Sequence, residues 1–102
     1  MIANLAGNGM LLAAILFVLG LIGLVTRRNV IFTLMSIEVM LNAAGLAFVA
    51  AGARWGQPDG QIMFLFILSM AAAEVSVGLA LVVRLHRLSK SVDVDSASTL
   101  KG

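Results

Sequence analysis

The sequence predicts an all-α membrane protein with three transmembrane helices. Of its 102 residues, 61% are hydrophobic and only 12% are charged, and the mean hydropathy is +1.06. A water-soluble domain of this size could not bury so much apolar surface, because small domains leave a large share of their surface exposed. The apolar residues also come in long runs, which is typical of membrane helices. We therefore expect a single membrane domain over residues 1–102.

Three apolar runs are long enough to cross a bilayer, which takes ~20 helical residues. They cover about residues 9–26, 30–51 and 61–83. The first run has no basic residue before it, so we expect a retained helix and not a signal peptide. "RRN" joins the first two spans and "GARWGQPDG" joins the others, with a turn predicted at Pro58, Asp59 and Gly60. Such short loops make neighbouring helices antiparallel, and residues 84–102 should form a polar tail.

Basic residues near the span ends predict the orientation. Arg27 and Arg28 follow the first span, and more basic residues follow the third span on the same side of the membrane, whereas the opposite side has only Arg54. Because basic loops stay in the cytoplasm, we expect the N-terminus outside, in the periplasm, and the C-terminus in the cytoplasm. His86 should extend to the lipid headgroups, with a role in proton entry as the alternative. The basic residues after the third span are Arg84, Arg87 and Lys90.

Composition also limits the chemistry of the chain. It has no Cys, no Tyr and one His, so the sequence predicts no disulfide, no iron–sulfur cluster and no metal site. The basic residues flank apolar runs, and we therefore interpret them as membrane-surface residues and not as a nucleic-acid patch. We expect the lipid bilayer, and no nucleic acid, among the partners.

Two acidic residues, Glu38 and Glu74, lie inside the predicted spans. Glu38 is eight residues beyond Val30 and Glu74 is nine residues before Val83, which gives depths of ~12 Å and ~14 Å at ~1.5 Å per residue. An acid at mid-membrane costs at least ~2.5–3.5 kcal/mol and usually faces a bundle interior or an aqueous path. The matched depth favours a proton relay. The alternative is that both are protonated and only hydrogen-bond between helices.

Each of these two helices has an acid face and a face of small residues. Asn42 lies one turn from Glu38, close enough to donate a hydrogen bond or to hold a water molecule. Small faces allow close helix packing, which favours a subunit wedged between larger membrane partners; the alternative is that Ala and Ser are simply common in membrane helices. The small residues are Ala43, Ala47 and Ala51 in the second span, and Ser69, Ala72, Ala73, Ser76 and Ala80 in the third.

Several motifs carry a resemblance to a known family. The chain contains "RRN", "IEVMLNA", "DGQ" and "AAAEVSVGLA" within a longer matching pattern. It resembles subunit K of the bacterial proton-pumping NADH:quinone oxidoreductase, respiratory complex I, and its mitochondrial "4L" counterpart. The resemblance covers almost the whole chain, and the tail beyond about Leu88 is its least diagnostic part.

The resemblance implies a function and a setting. It implies that Glu38 and Glu74 belong to a row of ionisable residues along the middle of a membrane arm, and that Arg27 and Arg28 support activity. The enzyme would be a translocase in the bacterial inner membrane. Flavin, iron–sulfur clusters and quinone would be held by other subunits, with no cofactor or metal in this chain. Its partners would be other membrane-arm subunits, including antiporter-like ones.

Other functions are compatible with three spans. The chain could be the small subunit of a related multisubunit cation/proton antiporter or of a membrane-bound hydrogenase. The resemblance to the antiporter subunit is weaker, because that family lacks glutamates at these two positions and has a longer external loop. A purely structural assembly subunit is the alternative of another class, and it predicts that both glutamates tolerate replacement by glutamine.

Overall fold

The computed structural model of the protein describes residues 2–26 and 28–89, and it consists of three α-helices joined by short loops. Helix α1 is Ile2–Thr26, α2 is Val30–Trp55 and α3 is Asp59–Ser89. All three are long and apolar enough to cross a membrane, because a helix satisfies its own backbone hydrogen bonds in lipid. The prediction of three spans is confirmed. Arg27 and residues 90–102 of the predicted tail, which include Lys90, lie outside the described residues.

Helix α2 begins with a strong capping residue. The side-chain Oδ1 of Asn29 accepts hydrogen bonds from the backbone N–H groups of Ile31 at 2.8 Å and Phe32 at 3.3 Å. These donors have no partner within the helix, so an N-cap asparagine stabilises its first turn. The "RRN" loop therefore ends where the predicted second span begins.

Replacing Asn29 with alanine should loosen the first turn of α2, because both N–H groups lose their acceptor. We expect a local loss of about 1 kcal/mol. The measurement is hydrogen–deuterium exchange of peptides that begin at Val30, which should exchange several-fold faster. Asn29→Asp keeps an acceptor and should exchange like the wild type. Equal exchange in the alanine variant would contradict this role for the cap.

The turn between α2 and α3 lies earlier than predicted. Helix α2 continues to Trp55 and ends at Gly56, which has φ 64°, a left-handed conformation that glycine adopts without a steric penalty. The N–H of Gly56 donates to the carbonyl of Ala53, and that of Gln57 donates to Gly52. This is the Schellman arrangement of a helix end.

The prediction that Asp59 and Gly60 belong to the turn was wrong, since both lie in the first turn of α3. The Pro58 carbonyl accepts from Ile62 N at 3.1 Å, so Pro58 directly precedes the helix, and an acidic residue such as Asp59 is favourable at a helix N-terminus. At the other end α3 runs six residues past Val83. The first residues of the predicted polar tail, up to Ser89, are thus helical, and basic residues in the last turn complement the helix dipole.

The helices form a flat row with α2 in the middle. Helix α2 packs against both α1 and α3, while α1 and α3 barely meet over the residues described. The molecule measures 55 × 24 × 16 Å, so the layer is not much thicker than one helix. Such a layer has two broad faces, and most of its large apolar side chains are exposed on them.

Glycine and alanine allow close packing on both sides of α2. Against α1, Ala43 is only 1% exposed, and Gly20 lies against the backbone of Ser36. The small face of α2 is thus partly used inside the chain, since Ala43 is buried while Ala47 and Ala51 are half-buried. The small face of α3 is exposed throughout: Ser69, Ala72, Ala73, Ser76 and Ala80.

Candidate functional site: two glutamates at one level

The register of α2 against α3 places Glu38 and Glu74 at the same level. Leu34 contacts Gly78 so closely that a methyl group added there would lie 2.9 Å from Leu34 Cδ1. Glu38 is four residues after Leu34, and Glu74 is four residues before Gly78. Because the helices are antiparallel, both steps run toward the α2–α3 loop and rise by about 6 Å. The structure thus agrees with the matched depth predicted by counting residues.

Two other contacts give the same register. Gly45 lies against the Phe64 ring, and Gly52 lies against the backbone of Gly60. Along one antiparallel register, the residue number rises in one helix as it falls in the other, so the sum of the two numbers stays nearly constant. The sums for these two pairs are close to the sum for Leu34 and Gly78, so all three contacts belong to one register. The pairing at the glutamate level is therefore part of a continuous interface.

The two carboxyl groups turn toward opposite faces of the layer. A step of four residues along a right-handed helix turns the side chain by about 40°. The steps from Leu34 to Glu38 and from Gly78 to Glu74 both run toward the α2–α3 loop. The two side-chain directions therefore rotate in the same sense when both helices are viewed along their axes from that end. Since Leu34 and Gly78 point at each other, this common turn takes Glu38 to one face and Glu74 to the other. The α2–α3 interface lies between them.

Glu38 is the more enclosed of the two acids. Its side chain is half-buried, and Oε1 is buried without a hydrogen-bond partner among the described residues. Asn42 is exposed and does not bond to that oxygen. The hydrogen bond to Oε1 that the one-turn spacing allows is thus not formed, because Asn42 is turned further toward the open face. A buried oxygen without a partner is costly, and it is available to a proton, to water or to a group from a neighbouring subunit.

Glu74 is open on the opposite face. Its side chain is exposed, as is that of Met70 one turn away. Ser69 and Ser76 donate their hydroxyl hydrogens to the carbonyls of Leu65 and Ala72 in the same helix. An exposed carboxyl inside a membrane span needs water or a polar partner. Glu74 is therefore placed to meet a group from outside this chain.

Arg28 and His86 lie away from the two acids. Arg28 is exposed just before α2, ten residues from Glu38 and therefore about 15 Å along the axis. Arg27 lies outside the described residues. His86 is exposed in the last part of α3, about 18 Å beyond Glu74 by the same measure. Neither Arg28 nor His86 is therefore brought beside the glutamates.

The sequence did not single out the residues that form the α2–α3 contact beside the acids. Gly78 and Ala71 were visible as small residues within one turn of Glu74, but Leu34 gave no signal. Its importance depends on the helix register, which a single sequence does not contain. Within the described residues, no three His, Cys, Asp or Glu side chains are grouped as metal ligands.

Comparisons with known proteins agree with the motifs. The family model described as NADH-ubiquinone/plastoquinone oxidoreductase chain 4L matches residues 9–102. A protein named NADH-quinone oxidoreductase subunit K from Nitrosospira multiformis is 66% identical over 95 residues, covering 93% of each chain. Proteins of the same name from Acidiphilium cryptum and Chromohalobacter salexigens are 62% and 61% identical, over 94% and 93% of each chain. The matched range includes both glutamates, and the resemblance inferred from the motifs is confirmed.

Proposed function

Because the chain belongs to the NADH-quinone oxidoreductase chain 4L family, whose bacterial relatives are named subunit K, we propose that its two glutamates relay protons within that complex. The chain is a subunit of the proton-translocating NADH-quinone oxidoreductase. In this proposal Glu38 and Glu74 exchange protons across the α2–α3 interface. The exchange links quinone reduction elsewhere in the complex to proton pumping.

The observation that carries the proposal is the pair of acids at one level, one of them with a buried, unpartnered oxygen. Purely structural glutamates would be expected to bond to their neighbours, since an unsatisfied buried acceptor costs ~1–3 kcal/mol. Glu38 makes no such bond through Oε1 among the described residues. A carboxyl that keeps an oxygen free can accept and release a proton, which is what general acid–base transfer requires.

The opposite orientation of the acids supports a relay between neighbouring subunits. Each glutamate can meet a different partner, and we propose that these are the adjoining membrane-arm subunits, antiporter-like ones among them. Flavin, iron–sulfur clusters and quinone belong, in this proposal, to other subunits. Arg27 and Arg28 act at the surface, where the "RRN" loop meets the cytoplasm.

The test of the relay compares glutamine variants of the two acids. Glutamine removes the exchangeable proton but keeps the size of the side chain, so assembly should persist. NADH-driven proton uptake by inverted membrane vesicles is measured together with the amount of assembled complex. A structural role predicts normal pumping per complex, and that result would reject the relay.

The orientation is a separate proposal: N-terminus in the periplasm, C-terminus in the cytoplasm of the bacterial inner membrane. The chain has no Cys, so single-cysteine variants report cleanly. Gln57 is exposed in the turn before α3, and Leu88 is exposed at the far end of that helix. We expect Gln57→Cys to react with a membrane-impermeant thiol reagent in spheroplasts, and Leu88→Cys to react only in inverted vesicles. The reversed pattern would overturn the orientation.

A further inference from the structure

The part of α3 that packs on α2 beside Glu74 contains small residues. Gly78 has no side chain, and Ala71 is 7% exposed at the face that packs on α2. Both lie within one turn of Glu74, on either side of it along the helix. The α3 side of the α2–α3 interface is therefore formed by small residues next to the level of the acids.

Leu34 of α2 packs against Gly78 on the side of the acids that faces the α1–α2 loop. Its two methyl carbons, Cδ1 and Cδ2, would lie 2.9 and 3.1 Å from a methyl group added at Gly78. These distances are shorter than an ordinary carbon–carbon contact of ~3.5–4.0 Å. The leucine thus fills the place that a side chain at Gly78 would need. A larger residue there must displace Leu34 or separate the helices.

We propose that Leu34 and Gly78 are positioning residues that set the separation of Glu38 and Glu74. The inference rests on the proposed relay. A proton passes between two groups only within hydrogen-bond reach, directly or through one water molecule. Small residues let helix axes approach to the lower end of the ~8–10 Å range. The Leu34–Gly78 contact lies one turn from both acids, where it limits how closely α2 and α3 approach each other.

The proposal predicts a defect in proton transfer when the contact is enlarged. Gly78→Leu should lower pumping per assembled complex by roughly 10-fold or more, since a displacement of ~1 Å can cost ~100-fold. The solvent deuterium isotope effect on turnover should rise, because the proton step becomes rate-limiting. A lower amount of complex alone would leave that isotope effect unchanged. Gly78→Ala should show the same rise on a smaller scale.

Two further variants separate positioning from packing. Leu34→Ala in the Gly78→Leu background restores the space, and we expect it to recover most of the pumping and the wild-type isotope effect. Gly45 is the matched control, because a methyl group there would lie 2.7 Å from Phe64 Cδ1 in the same interface. It is seven residues, about 10 Å, beyond Glu38. Gly45→Ala and Gly45→Leu should affect assembly without raising the isotope effect.

Each outcome of these variants either supports or overturns the positioning role of Leu34 and Gly78. A raised isotope effect in the Gly78 variants, recovery by Leu34→Ala and a normal value in the Gly45 variants support the proposal. A wild-type isotope effect in assembled Gly78→Leu, or an equal rise in Gly45→Leu, overturns it. If Gly78→Leu does not assemble, Gly78→Ala decides by the same criterion. Normal pumping by Glu38→Gln would reject the relay itself, whereas an inactive Glu38→Gln beside unaffected Gly78 variants rejects only the positioning role.

Discussion

Replacing Glu38 with glutamine is expected to abolish proton pumping while the complex still assembles. The amide has nearly the shape of the carboxyl group, so the packing of α2 between α1 and α3 is retained. It cannot release a proton, and among the described residues no other acid of this chain shares its face of the layer. General acid–base groups contribute about 10²–10⁴-fold to rates, so pumping should fall by about 100-fold or more.

The measurement is proton uptake by inverted vesicles, divided by the amount of complex on a native gel. Glu38→Asp is the matched control, because it keeps the carboxyl group and shortens its reach by one methylene. It should retain partial pumping. Glu38→Gln vesicles that pump like the wild type would show that the buried oxygen has no part in transfer.

Replacing Glu74 with glutamine should also impair pumping, but less severely. Its side chain is exposed on the open face of α3, where water or an acid of a neighbouring subunit can take over part of the transfer. We expect a loss of roughly 10-fold, less than the ~10²–10⁴-fold that a positioned acid or base contributes, because the bypass restores part of the transfer.

The check for Glu74→Gln uses the same vesicles and compares both single variants with the double variant. If the two acids act in one path, the double variant should be no worse than Glu38→Gln alone, because effects within one unit are not additive. A Glu74→Gln loss greater than that of Glu38→Gln would show that water does not substitute at this position.

The helices were predictable because a backbone inside lipid must form its hydrogen bonds within the protein. Long apolar runs must be helical inside a bilayer, and Asn29 marks the start of α2 in the sequence itself. The helix ends were harder to place. Pro58, Asp59 and Gly60 are typical of turns, but a proline just before a helix and an acid in its first turn are equally typical of a helix start.

The depth of the two glutamates was predictable from the sequence, but the face of the layer on which each one lies was not. Counting residues from the span ends placed Glu38 and Glu74 level with one another, and the Leu34–Gly78 contact agrees. Which face each acid occupies depends on how α2 and α3 are rotated against each other. The same limit applies to the small face of α2: composition shows that a face can pack closely, but only the fold shows that Ala43 is buried within the chain.

The level arrangement of the acids has an electrical consequence. Moving one elementary charge across the membrane potential changes its energy by about 2.3 kcal/mol per 100 mV. That work depends only on displacement along the membrane normal. A proton that passes between Glu38 and Glu74 travels parallel to the membrane plane, so this step does no work against the voltage. The rate of this step should be the same in an energised and a de-energised membrane. The voltage must act instead on the steps by which protons enter and leave the row of ionisable residues.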